Sequence, residues 1–393
     1  MRILFITPEL PHRFGGGQRM YYQIKYLKEF GNIIDLITFK TNLVDETIKQ
    51  YIDNIYFVEE DFSMKFHHKV KNLILFKAYN ISLKLKNRIK EILHKTKYDI
   101  VHIHKVQIAI NFIEFKNFVP VVIDLWAAGL KGVWYEVVFE RNLLKKIIKF
   151  SRIPRYFLAD TKIYKSFNNF FVVSEEAKSY IIKRYPNKKV YIVPNGIESQ
   201  IINYRKTKPE DHDKGNTIIY TGDMGFFQNI DTVLFFAQKI LPIIKKNIPN
   251  IKFFVVGRNP AKKILNLAKK DKSIVVTGFV DNIYSYLREF SVYVAPIRTG
   301  AGIRNKLLEA LGIGMPVVST KKATEGIKVL DDVHILFASN YVEFAHKVVG
   351  LLNSLQKRYY LGKNASELIE KNYLWENIVK EMIKYYQLII SDK

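Results

Sequence analysis

The sequence predicts an α/β protein made of two doubly wound parallel domains, and three observations carry that expectation. Short runs rich in Val, Ile and Phe alternate with longer helical stretches along most of the chain, the pattern of strands covered by helices on both faces. A polar, charged stretch interrupts the alternation near residue 210, after which it restarts. The chain also has 393 residues, 48% of them hydrophobic, more than a single core usually holds.

The elements follow in order. Arg2–Thr7 (RILFIT) reads as a buried first strand and leads through a glycine turn into a helix ending near Phe30. Ile33–Phe39, Ile55–Val58, Asp99–His104, Val119–Leu125, Asn169–Val173 and Lys189–Val193 continue the first domain as strands. Asn203–Asn216 (NYRKTKPEDHDKGN) contains Pro and Gly and offers nothing to bury, so it reads as a connection. Thr217–Thr221, Ile251–Val256, Ile274–Thr277, Val292–Ala295 and Pro316–Ser319 are the strands of a second domain. Leu374–Ile390 is amphipathic and long enough to leave that domain and pack elsewhere. The expected division is therefore residues 1–203, a linker at 204–216, residues 217–372 and a crossing helix at 373–393.

Composition narrows the function. The chain has no cysteine, which excludes a disulfide scaffold, cysteine-ligated zinc, iron–sulfur clusters and a thiol nucleophile. Five residues separate Arg2 from Pro8, too few for the apolar region of a signal peptide, and no apolar run is long enough to span a bilayer. Lys and Arg number 62 against 37 acids, a net charge of +25. Such a balance suits an anionic membrane surface, nucleic acid, or a compositional bias toward Lys, Ile and Asn. No nucleic-acid-binding module appears. Phe62–Lys97 carries ten cations against one acid, and Arg141–Lys165 eight against one, both interleaved with apolar residues; either could lie on anionic lipid or form a solvated face.

Two segments carry chemistry. Gly15-Gly16-Gly17-Gln18 follows the first strand and precedes a helix. It is either a connecting turn or a loop whose amides approach an anion, and it lacks the dinucleotide fingerprint. More specific is Ala295–Gly326, APIRTGAGIRNKLLEALGIGMPVVSTKKATEG. Here the loop Thr299-Gly300-Ala301-Gly302 ends a strand, and a helix is expected to start near Ile303. Arg304 and Lys306 would then occupy a first helical turn, where the helix dipole repels cations. An anion such as a diphosphate, held by the loop amides and both cations, would account for them. Glu309 is placed to pair with Lys306 or to accept hydrogen bonds from sugar hydroxyls.

This block resembles the donor-binding segment of glycosyltransferase family 4, and other segments agree in order over some 370 residues. They are the Gly15–Gln18 loop, Val172-Val-Ser-Glu175, Val193-Pro-Asn-Gly-Ile-Glu198, Ile218-Ile-Tyr-Thr-Gly222, Val255-Val-Gly-Arg258, Val276–Asp281 and Tyr373-Leu-Trp-Glu376. The resemblance implies the GT-B fold, two Rossmann-like domains facing each other across a cleft. It also implies a retaining enzyme that needs no metal and takes a nucleotide-diphosphate sugar of the UDP or GDP type as donor. The acceptor would be a glycan of the cell surface, polysaccharide or lipopolysaccharide, carried on lipid at the inner face of the cytoplasmic membrane.

Carried over residue by residue, the resemblance makes Gly16, Gly17, Gly222, Arg258, Gly300, Ala301, Gly302, Ile303 and Glu309 donor-binding residues. Glu309 matches the second glutamate of the family's E-x7-E motif; the first is absent, since Gly300 and Ala301 occupy its place. The usual Arg and Lys after the first glycine of the second domain are also missing, with Asp223 and Asn229 standing where they would fall. Phosphate neutralisation would then rest on Arg304 and Lys306 as catalytic cations. His104 matches the family histidine near the reacting sugar, and His102, two residues away on the same strand face, and Asp124 are candidates for holding the acceptor. Each of the three would otherwise be a hydrogen-bonded structural residue. Two other readings stay open on the sequence: a nucleotide-sugar or membrane-binding protein of this fold that has lost catalysis, and a sugar-nucleotide epimerase. Loss of turnover without loss of nucleotide binding separates the first of these from a transferase, and cleft carboxylates acting on the hexose would mark the second.

Overall fold

The computed structural model describes residues 1–13, 15–40, 45–59, 82–126, 134, 137–138, 142–300 and 302–392. Ala301, Arg141 and most of the basic stretch beginning at Phe62 lie outside the described residues. Two compact units are present: Met1–Pro194 with Ile378–Lys393, and Asn195–Asn377.

The first unit is built on a seven-stranded sheet in the order β3-β2-β1-β4-β5-β6-β7. Its strands are β1 (Arg2–Thr7), β2 (Ile33–Phe39), β3 (Asn54–Val58), β4 (Ile100–His104), β5 (Val121–Leu125), β6 (Asn169–Val172) and β7 (Lys189–Ile192). All neighbouring strands run parallel. Strand β5 starts after Pro120, which has no amide proton to give a ladder. Helix α1 (Gln18–Glu29) ends because Gly31 takes φ +78, turning the chain toward β2. The other helices are α2 (Leu83–Lys95), α3 (Val106–Ala109), α4 (Leu143–Phe150), α5 (Ile153–Ser166) and α6 (Glu175–Ile182). Leu4, Ile6, Val101, Ile103, Ile123 and Phe170 project from the sheet into one apolar core with Leu85, Ile89 and Phe112.

The second unit holds a six-stranded parallel sheet, β10-β9-β8-β11-β12-β13. The strands are β8 (Thr217–Thr221), β9 (Lys252–Val256), β10 (Ile274–Gly278), β11 (Val292–Ala295), β12 (Val317–Ser319) and β13 (Leu336–Phe337). Helices α7 (Phe227–Phe235), α8 (Leu241–Asn247), α9 (Lys262–Lys270), α10 (Ile283–Leu287), α11 (Asn305–Gly312), α12 (Tyr341–Leu352) and α13 (Leu355–Asn372) belong to it. The polar segment 204–216 lies within this unit. Lys206 is buried, its amide bonded to the Ile313 carbonyl and its ammonium to the Phe290 carbonyl at 2.6 Å. Desolvation brings that ammonium down to about 7.

The last helix, α14 (Trp375–Ser391), begins in the second unit and contributes Ile378 onward to the first. There Tyr386 stacks on Phe171 of β6, ring centroids 5.6 Å apart, and Lys189 of β7 pairs with Asp392. No helix among the described residues is long and apolar enough to cross a membrane.

Candidate active site

In the second unit, adjacent strands β9, β8 and β11 end at Val256, Thr221 and Ala295, and the loops leaving them gather at one edge of the sheet. Open α/β sheets bind ligands beyond such carboxyl ends. The backbone is tight here. Gly222 has φ +153 and Gly257 φ +146; a Cβ on Gly257 would lie 1.6 Å from the Gly222 carbonyl oxygen. A Cβ on Gly222 would sit 2.8 Å from the Asn229 amide nitrogen and 3.2 Å from Lys306 Nζ. Only glycine lets the two strands exit past each other and leaves room for those side chains.

Lys306 is the second residue of α11. Its ammonium donates to the Tyr220 hydroxyl at 2.6 Å and to Asn229 Oδ1, and it lies 4.4 Å from the centre of the Tyr220 ring. Tyr220 donates to the same Asn229 oxygen at 2.7 Å. Burial, with Arg304 adding to it and Glu309 opposing, lowers Lys306 to about 7. Burial raises Glu309 to about 7, Lys306 opposing. A cation and a carboxyl on one helix are thus both shifted toward neutrality by burial.

The helix starts at Asn305, two residues later than the sequence suggested. Gly300 and Gly302 take φ +100 and +82, and Arg304 is the extended residue capping the helix. Arg304 therefore braces the loop, its guanidinium donating to the carbonyls of Gly302 at 2.9 Å and Thr299 at 3.1 Å. Ile303 is buried beside it. A Cβ on Gly300 would fall 2.3 Å from the Gln228 amide nitrogen, so Gln228 of α7 closes the loop from below. Arg258 points elsewhere: it pairs with Asp223 at 2.9 Å, more than half exposed, while its carbonyl accepts from the Met224 amide.

In the first unit His102 and His104 lie on β4, and Asp124 on β5 pairs in register with His104. All three are wholly buried. The sequence expected them beside an acceptor; the structure instead covers them with α1 and α14. Arg19 clamps Asp124 with both Nε and Nη2 at 2.9 Å, and Gln23 donates to it at 2.9 Å. His104 Nε2 faces the Gln23 carbonyl oxygen at 2.9 Å, and His102 Nδ1 meets the Tyr386 hydroxyl at 2.5 Å. Burial pushes the Asp124 carboxyl up, but the charge of Arg19, with the imidazole of His102 beside it, outweighs burial and holds the group far below the ordinary carboxylate range. Desolvation depresses both histidines. These three residues are also the group among the described residues that offers metal-ligand atoms within 4.8 Å of one another. Arg19 and Gln23 already take up the carboxylate of that group.

Partly exposed at this sheet edge is a set the sequence reading did not single out. Lys105, immediately after His104, is forced to φ +71, a strained conformation for a side chain with a Cβ. Its ammonium lies 4.7 Å from the Trp126 ring and 3.2 Å from Glu9. The Trp126 ring packs against Gly16, whose added Cβ would lie 3.1 Å from it, and Gly17 is closed in by His12. The signal available in sequence was position alone: Glu9, Lys105 and Trp126 each follow a parallel strand.

Residues 15–200 match Glycosyltransferase Family 4 and residues 215–354 match Glycosyl transferases group 1. The chain belongs to this glycosyltransferase family. A Klebsiella pneumoniae 44.6 kDa protein in the cps region is 21% identical, over 98% of this chain and 99% of its own length. A Methanocaldococcus jannaschii glycosyltransferase is 23% identical over 100% and 99%. Among solved structures, sucrose-phosphate synthase from Thermosynechococcus elongatus superposes with a TM-score of 0.72 at 14% identity, covering 100% of both chains. HepE from Anabaena in complex with UDP superposes at 0.73 and 12% identity, over 98% of this chain and all of its own. The two parallel sheets of this glycosyltransferase are those of the GT-B fold.

Proposed function

We propose that this glycosyltransferase moves a sugar, with retention, from a nucleotide-diphosphate sugar to a hydroxyl of a lipid-linked cell-surface glycan, at an anionic membrane surface. The observation that carries the reading is Lys306, a half-buried ammonium at the start of α11 beside Gly222, with Arg304 and the Gly300–Gly302 loop next to it. Those cations and the helix dipole would meet the donor diphosphate, so the reading needs no metal ion. Glu309 would take the ribose hydroxyls. The UDP seen in HepE supports a UDP-type donor, and the capsule-region relative supports a surface polysaccharide as product.

In this reading the bond between the anomeric carbon and the β-phosphate oxygen breaks, and the electron pair leaves with the phosphate. The acceptor oxygen attacks from the same face and passes its proton to the departing phosphate oxygen. The protein's part is to hold the ground geometry and to stabilise the charge that grows on the phosphate. Arg304 also organises the loop, so its removal would disturb both functions.

The test is thermal shift and calorimetric titration with UDP, GDP and ADP, followed by turnover of labelled UDP-sugars on a membrane extract. A rise in melting temperature with UDP, lost in Lys306→Ala with the fold intact, supports the reading. No nucleotide response would remove the donor site.

A further inference from the structure

Helix α4 (Leu143–Phe150) buries none of its residues. Leu143, Leu144, Ile147, Ile148 and Phe150 are between 49% and 72% exposed. At 100° per residue these five fall on one arc, and Lys145, Lys146 and Lys149 on the opposite one. The helix is firmly formed all the same: the Asn142 side chain caps it by accepting from the Lys145 amide, and the Ser151 and Arg152 amides close its last turn. Two residues later α5 begins, and Phe157 and Leu158 on it are also about half exposed. From residue 142 to 159 there is no acid.

We infer that α4, with the start of α5, is the element by which this enzyme lies on an anionic bilayer, its apolar arc among the acyl chains and its lysines at the headgroups. The inference rests on the membrane location proposed above and names the part of the chain responsible. An apolar patch this concentrated marks an interaction surface on a folded protein, and the charge pattern selects its occupant. Acyl chains cover the apolar arc while lipid phosphates pair with Lys145, Lys146, Lys149 and Arg152. A second copy of the chain suits the face less well, because a two-fold contact would set these cations against their own counterparts with no acid between them. A short helix that presents its apolar arc to water gains nothing from the fold by doing so, and its cost is recovered only when lipid covers it.

The experiment is co-sedimentation of the full chain with vesicles of phosphatidylcholine containing about a third phosphatidylglycerol, against pure phosphatidylcholine, over rising salt. Wild type should bind the anionic vesicles and release as salt increases. Leu144→Glu with Ile147→Glu should cut partitioning at least about tenfold. The UDP thermal shift and melting temperature of that variant should stay as in wild type, since both side chains are already in water. Lys145→Gln with Lys146→Gln and Lys149→Gln should weaken binding and flatten its salt dependence. Vesicle binding by the double glutamate variant equal to wild type would overturn the assignment to α4 alone. No vesicle binding by wild type would overturn the membrane location with it, while a dimer that the double variant splits into monomers would give the face to a second copy.

Discussion

The Lys306 ammonium donates to the Tyr220 hydroxyl at 2.6 Å, and that hydroxyl passes its own proton toward Asn229 at 2.7 Å. The phenol is wholly buried, and desolvation together with Tyr293 keeps it protonated. The lysine is thus pinned by two acceptors that carry no charge. Burial and the neighbouring charge of Arg304 loosen its proton, and neither Tyr220 nor Asn229 supplies a charge to offset them.

The first prediction follows from that loose proton. Lys306 sits at about 7 against an ordinary 10.5, and a bound diphosphate would favour the ammonium. Above about pH 7 binding must therefore take up a proton, and UDP affinity should fall by up to about tenfold per pH unit. Glu309, itself near 7, is mostly a carboxylate above about pH 8 and adds little to the slope there. Calorimetric titration with UDP between about pH 7 and 9 checks it. Lys306→Met should weaken binding at least about tenfold at pH 7 and abolish the slope. A slope that survives in Lys306→Met would reassign the titrating group.

Positioning of the ammonium can be tested apart from its charge. Tyr220→Phe removes one acceptor and leaves the apolar ring in place. UDP affinity should drop about three- to tenfold, with a stability loss on the order of 1 kcal/mol. Unchanged UDP binding in this variant would mean that Asn229 alone holds Lys306.

Backbone contact gives an ordering. In Gly222→Ala the new methyl meets the ends of Asn229 and Lys306, which have some freedom to move; in Gly257→Ala it strikes the Gly222 carbonyl, which has none. Urea unfolding should show a loss of about 1–3 kcal/mol for Gly222→Ala and a larger one for Gly257→Ala. Only Gly222→Ala should lose UDP affinity beyond its stability effect. Equal losses would contradict the geometry.

How far the sequence already showed this site depends on which physical signal each residue leaves. The strands were readable because both faces of each sheet are covered, so apolar runs are nearly continuous. Lys306 stands in the first turn of α11, as the sequence expected, a place where a cation opposes the dipole. Arg304 was misplaced by the same reasoning, since two positive-φ glycines delay the helix and periodicity does not register φ. His102, His104 and Asp124 gave the right strands but not their cover. Nothing local to them announces that Arg19, Gln23 and Tyr386 arrive from positions up to 284 residues away. Lys105 and Trp126 left no pattern at all.

The buried Arg19–Asp124 pair makes a prediction about acid stability. His102 and His104 are depressed below 6.5 by burial and stay neutral in the folded chain. The unfolded chain gains protons on them as pH drops below about 6.5, so stability falls on acidification. Below about pH 4 protonation of Asp124 in the unfolded chain adds to the same loss. Melting temperature should decline from about pH 7 toward pH 5. Asp124→Asn should cost about 3–5 kcal/mol by stranding Arg19, whereas Arg19→Met combined with Asp124→Leu should cost less than the single change. A double variant worse than Asp124→Asn would show that the pair itself, and not the stranded charge, sustains the fold.

Trp126 offers the last test, at the edge of the first sheet. Its ring lies against Gly16 with Lys105 over its face, and Lys105 is held there at φ +71, its amide bonded to the Asp124 carbonyl. Strain kept at a partly exposed sheet edge is the kind found at functional sites. If the acceptor sugar rests on this ring, Trp126→Ala should raise the acceptor KM about tenfold while leaving UDP affinity untouched, because in the proposed reading the donor diphosphate would meet Lys306 and Arg304 of the second unit. Lys105→Gly relieves the strain and removes the cation at once. It should stabilise the fold slightly and still raise the acceptor KM, a combination that a purely structural lysine would not produce. Initial rates over an acceptor series, with UDP titrations alongside, separate the two, and an unchanged acceptor KM in both variants would remove this edge from the acceptor's path.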